Sequence, residues 1–204
     1  MIRLFVGLPL PEASRDRLAR LGPGFPGVRR VPPENFHLTL RFIGEVDEGT
    51  AQDIDAALDL VTAPPFPLML EGLGQFGRGG RPRALWAGVA RSEALAHLRD
   101  KVESAVVRAG QPAEERRFMP HVTLARLTAE APAHRIGRFI AENGLFREGP
   151  LPVDRFVLFE SVLGKGGSIY HELRSYPLGG WRPDDDDDDD GDVEQGEDGA
   201  DTGG

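Results

Sequence analysis

The four-residue frame His-x-Thr-Leu occurs twice, as HLTL at 37–40 within ENFHLTLRFI and as HVTL at 121–124 within FMPHVTLARL. In an extended chain successive side chains point to opposite faces, so each frame describes a strand with one wet face and one apolar face. In the first, Phe36, Leu38, Leu40 and Phe42 take the core face, and His37, Thr39 and Arg41 take the other. In the second, Val122 and Leu124 point inward while His121 and Thr123 share the polar face. Arg126 stands further along the same strand, where strict alternation turns it inward. Either the strand ends or bulges before it, or Arg126 lies outside any site built on that face. The chain has only five histidines, and chance is a poor account of two of them in one frame.

Strand and helix signals alternate around these frames. Strands are expected over 2–8, 36–43, 66–73, 85–90, 119–126, 153–163 and 169–176, and helices over 11–21, 48–61, 92–109 and 133–142. The stops are Gly22-Pro23-Gly24, Pro64-Pro65 and Gly110, the last where left-handed termination of a helix is easy. Short crossovers of this kind indicate an α+β fold with mainly antiparallel sheets, and not a doubly wound parallel sheet. Two similar strands, each set among helices, suggest two comparable lobes.

A length of 204 residues with 40% hydrophobic side chains suits one compact domain or two small packed lobes. No apolar run approaches the roughly 20 residues of a membrane-spanning helix, and MIRLFVGLPLPEA reads as a first strand and not as a signal peptide. With no cysteine there is no disulfide and no thiolate metal site, so a cytoplasmic setting is expected. The formal charge of −9 is misleading, because twelve of the 33 acidic residues follow Pro183. Residues 183–204 are expected to be a disordered acidic tail, and residues 1–182 the folded domain. That domain is mildly basic through arginine, the better fork for phosphate oxygens, although a biased genome explains an arginine excess more simply.

A lone histidine of this kind is most simply a satisfied, half-buried side chain. Two, delivered from separate strands with a hydroxyl beside each, make a general base and a general acid that can face one another. A metal site is poorly supported: neither frame holds a carboxylate, and zinc takes three or more protein ligands from His, Cys and carboxylates. No G-x-S-x-G elbow announces a serine hydrolase. The glycine-rich GLGQFGRGGRPR at 72–83 lacks the G-x-G-x-x-G spacing of a dinucleotide loop. Its Arg78, Arg81 and Arg83 are expected in an ordinary solvated loop or, less simply, at a cleft rim. His97, His134 and His171 have no partner pattern, and Tyr170 is a further candidate for substrate contact by its position.

On RLFVGLPLP, ENFHLTLRFIGEV, QFGRGGRPRALWAGV, PHVTLAR and FVLFESVLGKGGSIYHELRSYPLGGW, the chain resembles the 2H phosphoesterase superfamily. The likeness is strongest to its RNA 2′,3′-cyclic phosphodiesterase (2′-5′ RNA ligase-like) branch. The resemblance implies two pseudo-symmetric lobes, each a mainly antiparallel sheet with helices on its outer face, around a central cleft. It implies metal-independent, cofactor-free hydrolysis of RNA 2′,3′-cyclic phosphate ends, or of a small cyclic nucleotide, to 2′-phosphates. In those terms His37 is the proton donor to the leaving oxygen and His121 the proton acceptor from water. Thr39, Thr123 and Arg126 would hold phosphate oxygens. One departure is Arg29-Arg30, where relatives often carry an aromatic residue. The alternatives are a 2′-5′ RNA ligase acting on tRNA halves and a non-enzymatic RNA-end binding module. A monomer without an obligate protein partner or membrane is expected.

Overall fold

Alternating apolar residues, punctuated by Gly and Pro, fix the order of elements. The computed structural model describes residues 1–78, 81–164 and 167–179. Along them run β1 (Ile2–Pro9), α1 (Glu12–Leu21), β2 (Val28–Arg30), β3 (His37–Val46), α2 (Glu48–Asp59), β4 (Phe66–Arg78) and β5 (Arg81–Val89). There follow α3 (Glu93–Arg108), β6 (His121–Leu127), α4 (Ala133–Glu142), β7 (Arg147–Val153), β8 (Arg155–Gly164) and β9 (Gly167–Pro177). The acidic segment 183–204 and the Lys165-Gly166 pair lie outside the described residues. No helix among the described residues is long and apolar enough to cross a membrane.

All pairings are antiparallel. The strands form one sheet in the order β7-β4-β5-β6-β3-β1-β8-β9, with β2 added to β6. The order mirrors itself about its centre: outward from β3 lie β1, β8 and β9, and outward from β6 lie β5, β4 and β7. The two His-x-Thr-Leu strands are the central pair, joined through Leu38 opposite Val122. The α+β class and antiparallel pairing are as expected, with the strands of both halves hydrogen-bonded into a single sheet.

One face of that sheet packs against helices. Leu38, Leu40, Val122 and Leu124 share a core with Ile54 and Leu58 of α2 and with Leu98 and Val102 of α3. Each such side chain removed from water contributes roughly 1.5–3 kcal/mol, which fixes the face that must turn inward. The helix ends are closed locally. Asp47 and Ser92 accept from the backbone N–H of Thr50 and Leu95 at the starts of α2 and α3. At the end of α3, Gly110 has φ +87°, and Gln111 N–H reaches the Val106 carbonyl at 3.2 Å, the hydrogen bond of a left-handed stop.

Both central strands break strict alternation at the same place. β1 pairs Gly7 with Thr39 and Val6 with Arg41, skipping Leu40. β5 pairs Trp86 with Thr123 and Leu85 with Ala125, skipping Leu124. Each is a β-bulge just after the threonine: two consecutive side chains turn to the helix side, and alternation then resumes with opposite parity. Leu40 and Arg41 are accordingly both buried, as are Leu124 and Ala125. The expectation that Arg41 lies beside His37 is therefore corrected. Arg41 is 7% exposed on the helix side, where its guanidinium meets Glu103 at 2.7 Å and Glu114 at 3.7 Å. Phe42, expected in the core, is 37% exposed on the histidine face. The second bulge brings Arg126 round to the face of His121 and Thr123.

One further expectation is corrected, and one strand is added. Within the glycine-rich stretch, residues 72–78 and 81–83 are strand residues of β4 and β5 and not a solvated loop. Its Gly74 leaves room for an indole: a Cβ there would lie 2.2 Å from two ring carbons of Trp86. The strand expected over 153–163 is β8, Arg155–Gly164, and β7, Arg147–Val153, precedes it where no strand was expected.

Candidate active site

His37 and His121 are the first residues of β3 and β6, so the chain just before each is still turning into the sheet. That turn aims a carbonyl at each ring. His37 Nδ1 lies 2.8 Å from the Asn35 carbonyl oxygen, and His121 Nδ1 lies 2.7 Å from that of Met119. A carbonyl only accepts, so Nδ1 carries the proton in both rings and Nε2 is left for chemistry. Thr39 Oγ1 stands 3.1 Å from His37 Nε2 and donates to it when the ring is neutral. Asn35 is held in turn by its own side chain, whose Nδ2 donates to the Ser168 carbonyl at 2.7 Å.

Aromatic rings fix both imidazoles from the side. Around His37 sit Phe5 at 4.7 Å and Tyr170 edge-on at 5.0 Å between centroids. Around His121 sit Phe76 edge-on at 4.7 Å and Trp86 at 6.2 Å. Gly7, opposite Thr39 in the register, is required by close approach, since a Cβ there would come within 2.9 Å of the Leu38 carbonyl oxygen.

The two histidines open into one cavity of about 840 Å³, and Thr39, Thr123, Arg126 and Tyr170 also line it. All six residues singled out in the sequence thus share a single space. Arg81 and Arg83 are not on its wall, and the Arg78 side chain lies outside the described part of the chain. Among the described residues, the charged side chains on the wall are Arg3, Arg29, Arg30 and Arg126, with no carboxylate. Arg30 is committed, because its guanidinium donates to the Ala19 carbonyl near the end of α1. Arg29 and Arg126 lie opposite each other in the β2–β6 register, and among the described residues neither makes a salt bridge. A cavity of this kind suits an anion. Among the described residues no group of three or more His, Cys, Asp or Glu could hold a metal, and four guanidiniums would repel a divalent cation.

Burial and charge act on both imidazoles in the same direction. Desolvation, opposed by the hydrogen bond to the Asn35 carbonyl and reinforced by the nearby His121 and Arg126, lowers the pKa of His37 to about 4. His121 is lowered as well, first by burial and then by Arg126, against the favourable Met119 carbonyl. Both rings are therefore neutral in the empty site at neutral pH. An anion placed among them would offset the neighbouring positive charges and raise both.

Periodicity alone does not single out Phe5, Phe42, Phe76 or Trp86, which read as ordinary apolar core positions. Their place at the site depends on which strand pairs with which, and for Phe42 on the bulge. The signal for the second bulge was the run Leu124-Ala125, two apolar residues where alternation asks for one.

The sequence pattern of the 2′-5′ RNA ligase superfamily matches residues 10–164. The chain is similar to a protein of Aeropyrum pernix named RNA 2′,3′-cyclic phosphodiesterase, 39% identical over 160 residues, which are 78% of this chain and 89% of the relative. A protein of the same name from Archaeoglobus fulgidus is 33% identical over 86% of this chain and 99% of its own length. Among solved structures, E. coli LigT complexed with 3′-AMP matches with a TM-score of 0.72 at 26% identity, over 88% of this chain and 99% of LigT. TT0787 of Thermus thermophilus matches with a TM-score of 0.70 at 31% identity, over 86% and 97% of the two chains.

Proposed function

The chain belongs to the 2′-5′ RNA ligase superfamily, and from that premise we propose that it hydrolyses 2′,3′-cyclic phosphate ends of RNA to 2′-phosphates with two histidines and no metal. The observation that carries this reading is the pair of imidazoles in one arginine-lined cavity, each with Nδ1 tied to a carbonyl so that Nε2, beside Thr39 Oγ1 in His37, is the nitrogen left for proton transfer. The names of the relatives, RNA 2′,3′-cyclic phosphodiesterase, supply the bond to be broken.

Displacement at phosphorus puts nucleophile and leaving oxygen on opposite sides, so acid and base approach from opposite walls. His121 Nε2, with its lone pair free, accepts a proton from water as the water oxygen bonds to phosphorus. The P–O3′ bond breaks, and His37 Nε2, as imidazolium, gives its proton to the departing oxygen. Thr39, Thr123 and Arg126 hold the remaining oxygens, where charge grows in the transition state. Tyr170, edge-on to His37, closes the wall on the side of the leaving ribose. The protein is left with the proton exchanged between the two rings, and solvent restores it.

The pH dependence follows from the direction of the two shifts. Productive encounter needs His37 protonated and His121 neutral. The first is lost as pH rises through the lowered His37 value, about 4 in the empty site. The second is lost as pH falls through the lowered His121 value. The two rings interact, so the pair titrates with two apparent values, both below the ordinary imidazole value of about 6.5. For a 2′,3′-cyclic nucleotide, kcat/KM should be bell-shaped with its maximum below pH 6.5. The kcat profile should extend to higher pH, because bound phosphate raises both rings. A kcat/KM profile that is flat, or maximal above pH 7, would contradict the assignment.

A further inference from the structure

We infer that the cleft is built for a second nucleoside: a compartment beyond His121 stacks the base next to the cyclic-phosphate residue. The preferred substrate is then an RNA end and not a free cyclic nucleotide. The inference rests on the function proposed above and names the substrate class that the site selects.

A second cavity of about 580 Å³ adjoins the first, and Thr39, Phe42, Phe76 and His121 are common to both walls. Each volume falls within the roughly 300–1,000 Å³ of small-ligand clefts, so the larger takes the reacting nucleotide and the smaller its neighbour. The lining changes along the cleft. The end near Thr123 carries Arg126, Arg29 and Arg30; the far compartment carries Phe42, Phe76 and Phe118 beside Met119, with four arginines and Glu114 also on its wall among the described residues. Phe42 and Arg126 occupy matching places after the two bulges, so the mirrored halves differ at this point: one offers a cation and the other an aromatic face. Arginines line both compartments, and the rings gathered in the smaller one are the surface it offers a base.

The compartment is open to solvent but supported from beneath. Phe118 and Met119 belong to the irregular stretch between α3 and β6, which a buried ion cluster holds from below. Arg41 donates to the Pro112 carbonyl and faces Glu114, and Glu114 N–H donates to Glu103 Oε1 at 2.8 Å. Arg99 lies 5.6 Å over the Phe118 ring. Despite that support, Phe42 and Met119 remain 37% and 52% exposed. At the boundary, the Arg3 guanidinium sits 5.2 Å from the Phe42 ring centre, and Arg117 stands on the outer wall. Among the described residues neither has an acidic partner. A phosphodiester linking two nucleosides across this boundary meets both charges.

The test compares kcat/KM for a 2′,3′-cyclic mononucleotide with that for a dinucleotide bearing the same cyclic end, in the wild type, Phe118→Leu and Arg117→Ala. Leucine keeps apolar volume but removes the ring face, and Arg117 is exposed. The wild type should favour the dinucleotide by about tenfold or more, the usual worth of one stacked base. In Phe118→Leu that ratio should fall towards one while mononucleotide turnover stays within about twofold; in Arg117→Ala it should fall in part and more at low salt. A wild-type ratio near one, or a ratio unchanged in both variants, overturns the inference and leaves the proposed function standing. No turnover of either substrate by the wild type overturns the proposed function itself, and this inference with it.

Discussion

His37→Ala and His121→Ala are each expected to lower kcat on a 2′,3′-cyclic nucleotide by about 10²–10⁴-fold, with the fold intact. Both rings sit at strand starts and face the cavity, and the core beneath is made by Leu38, Leu40, Val122 and Leu124. Thermal midpoints close to wild type are therefore expected in both variants. The two differ in what survives. Without His121, the limb on which activity rises with pH should vanish, leaving only the descent due to His37. Without His37, the ascending limb should survive alone. A substrate whose leaving group needs no proton, such as a p-nitrophenyl phosphodiester, should recover much of its rate in His37→Ala and little in His121→Ala. Equal rescue in the two variants would show that the roles are not divided as described, and wild-type turnover in either would remove that histidine from the chemistry.

Arg41→Ala is expected to have the largest effect on stability. Its guanidinium is 7% exposed and joins Glu103 and Glu114, whose side chains are 14% and 19% exposed, to the carbonyls of Phe42 and Pro112. Taking the charge away leaves a nearly buried Glu103 with Arg99, at 3.9 Å, as its one remaining cation among the described residues, and two carbonyls lose their donor. Breaking one partner of such a cluster costs about 3–5 kcal/mol, a fall in Tm on the order of 10 °C. Arg41→Met keeps much of the volume but should lose nearly as much, because the unpaired carboxylate and not the cavity dominates. A Tm change below about 2 °C in both variants would mean that the cluster contributes no net stability. The stretch from Gln111 to Pro120 hangs from this cluster, so loosening it should also disorder the wall that leads into His121.

How much of this was legible in the sequence differs from element to element. α3 could be read from Leu95, Leu98, Val102 and Val106 and from its stop at Gly110, because apolar spacing and a left-handed terminus are local properties. β7 could not, because its sequence, REGPLPV, carries two prolines. Proline is tolerated in a strand when that strand lies at the edge of a sheet, and β7 is an end strand in the order. An edge position is a tertiary fact. The histidines and threonines were readable because the frame repeats, and a repeated polar face has no reason to exist in a core. Arg41, Phe42 and Arg126 were not placed correctly by alternation, because a bulge shifts parity and is settled by the partner strand. The same hidden step moved an arginine out of one half of the cleft and into the other.

The central claim is that two imidazoles act on opposite sides of one phosphorus, with His37 on the side of O3′. It is tested most directly by incubating the protein with a 2′,3′-cyclic nucleotide in excess EDTA and identifying the phosphate isomer formed. Undiminished turnover and a 2′-phosphate product are predicted; a 3′-phosphate product, or activity abolished by the chelator, would contradict the claim.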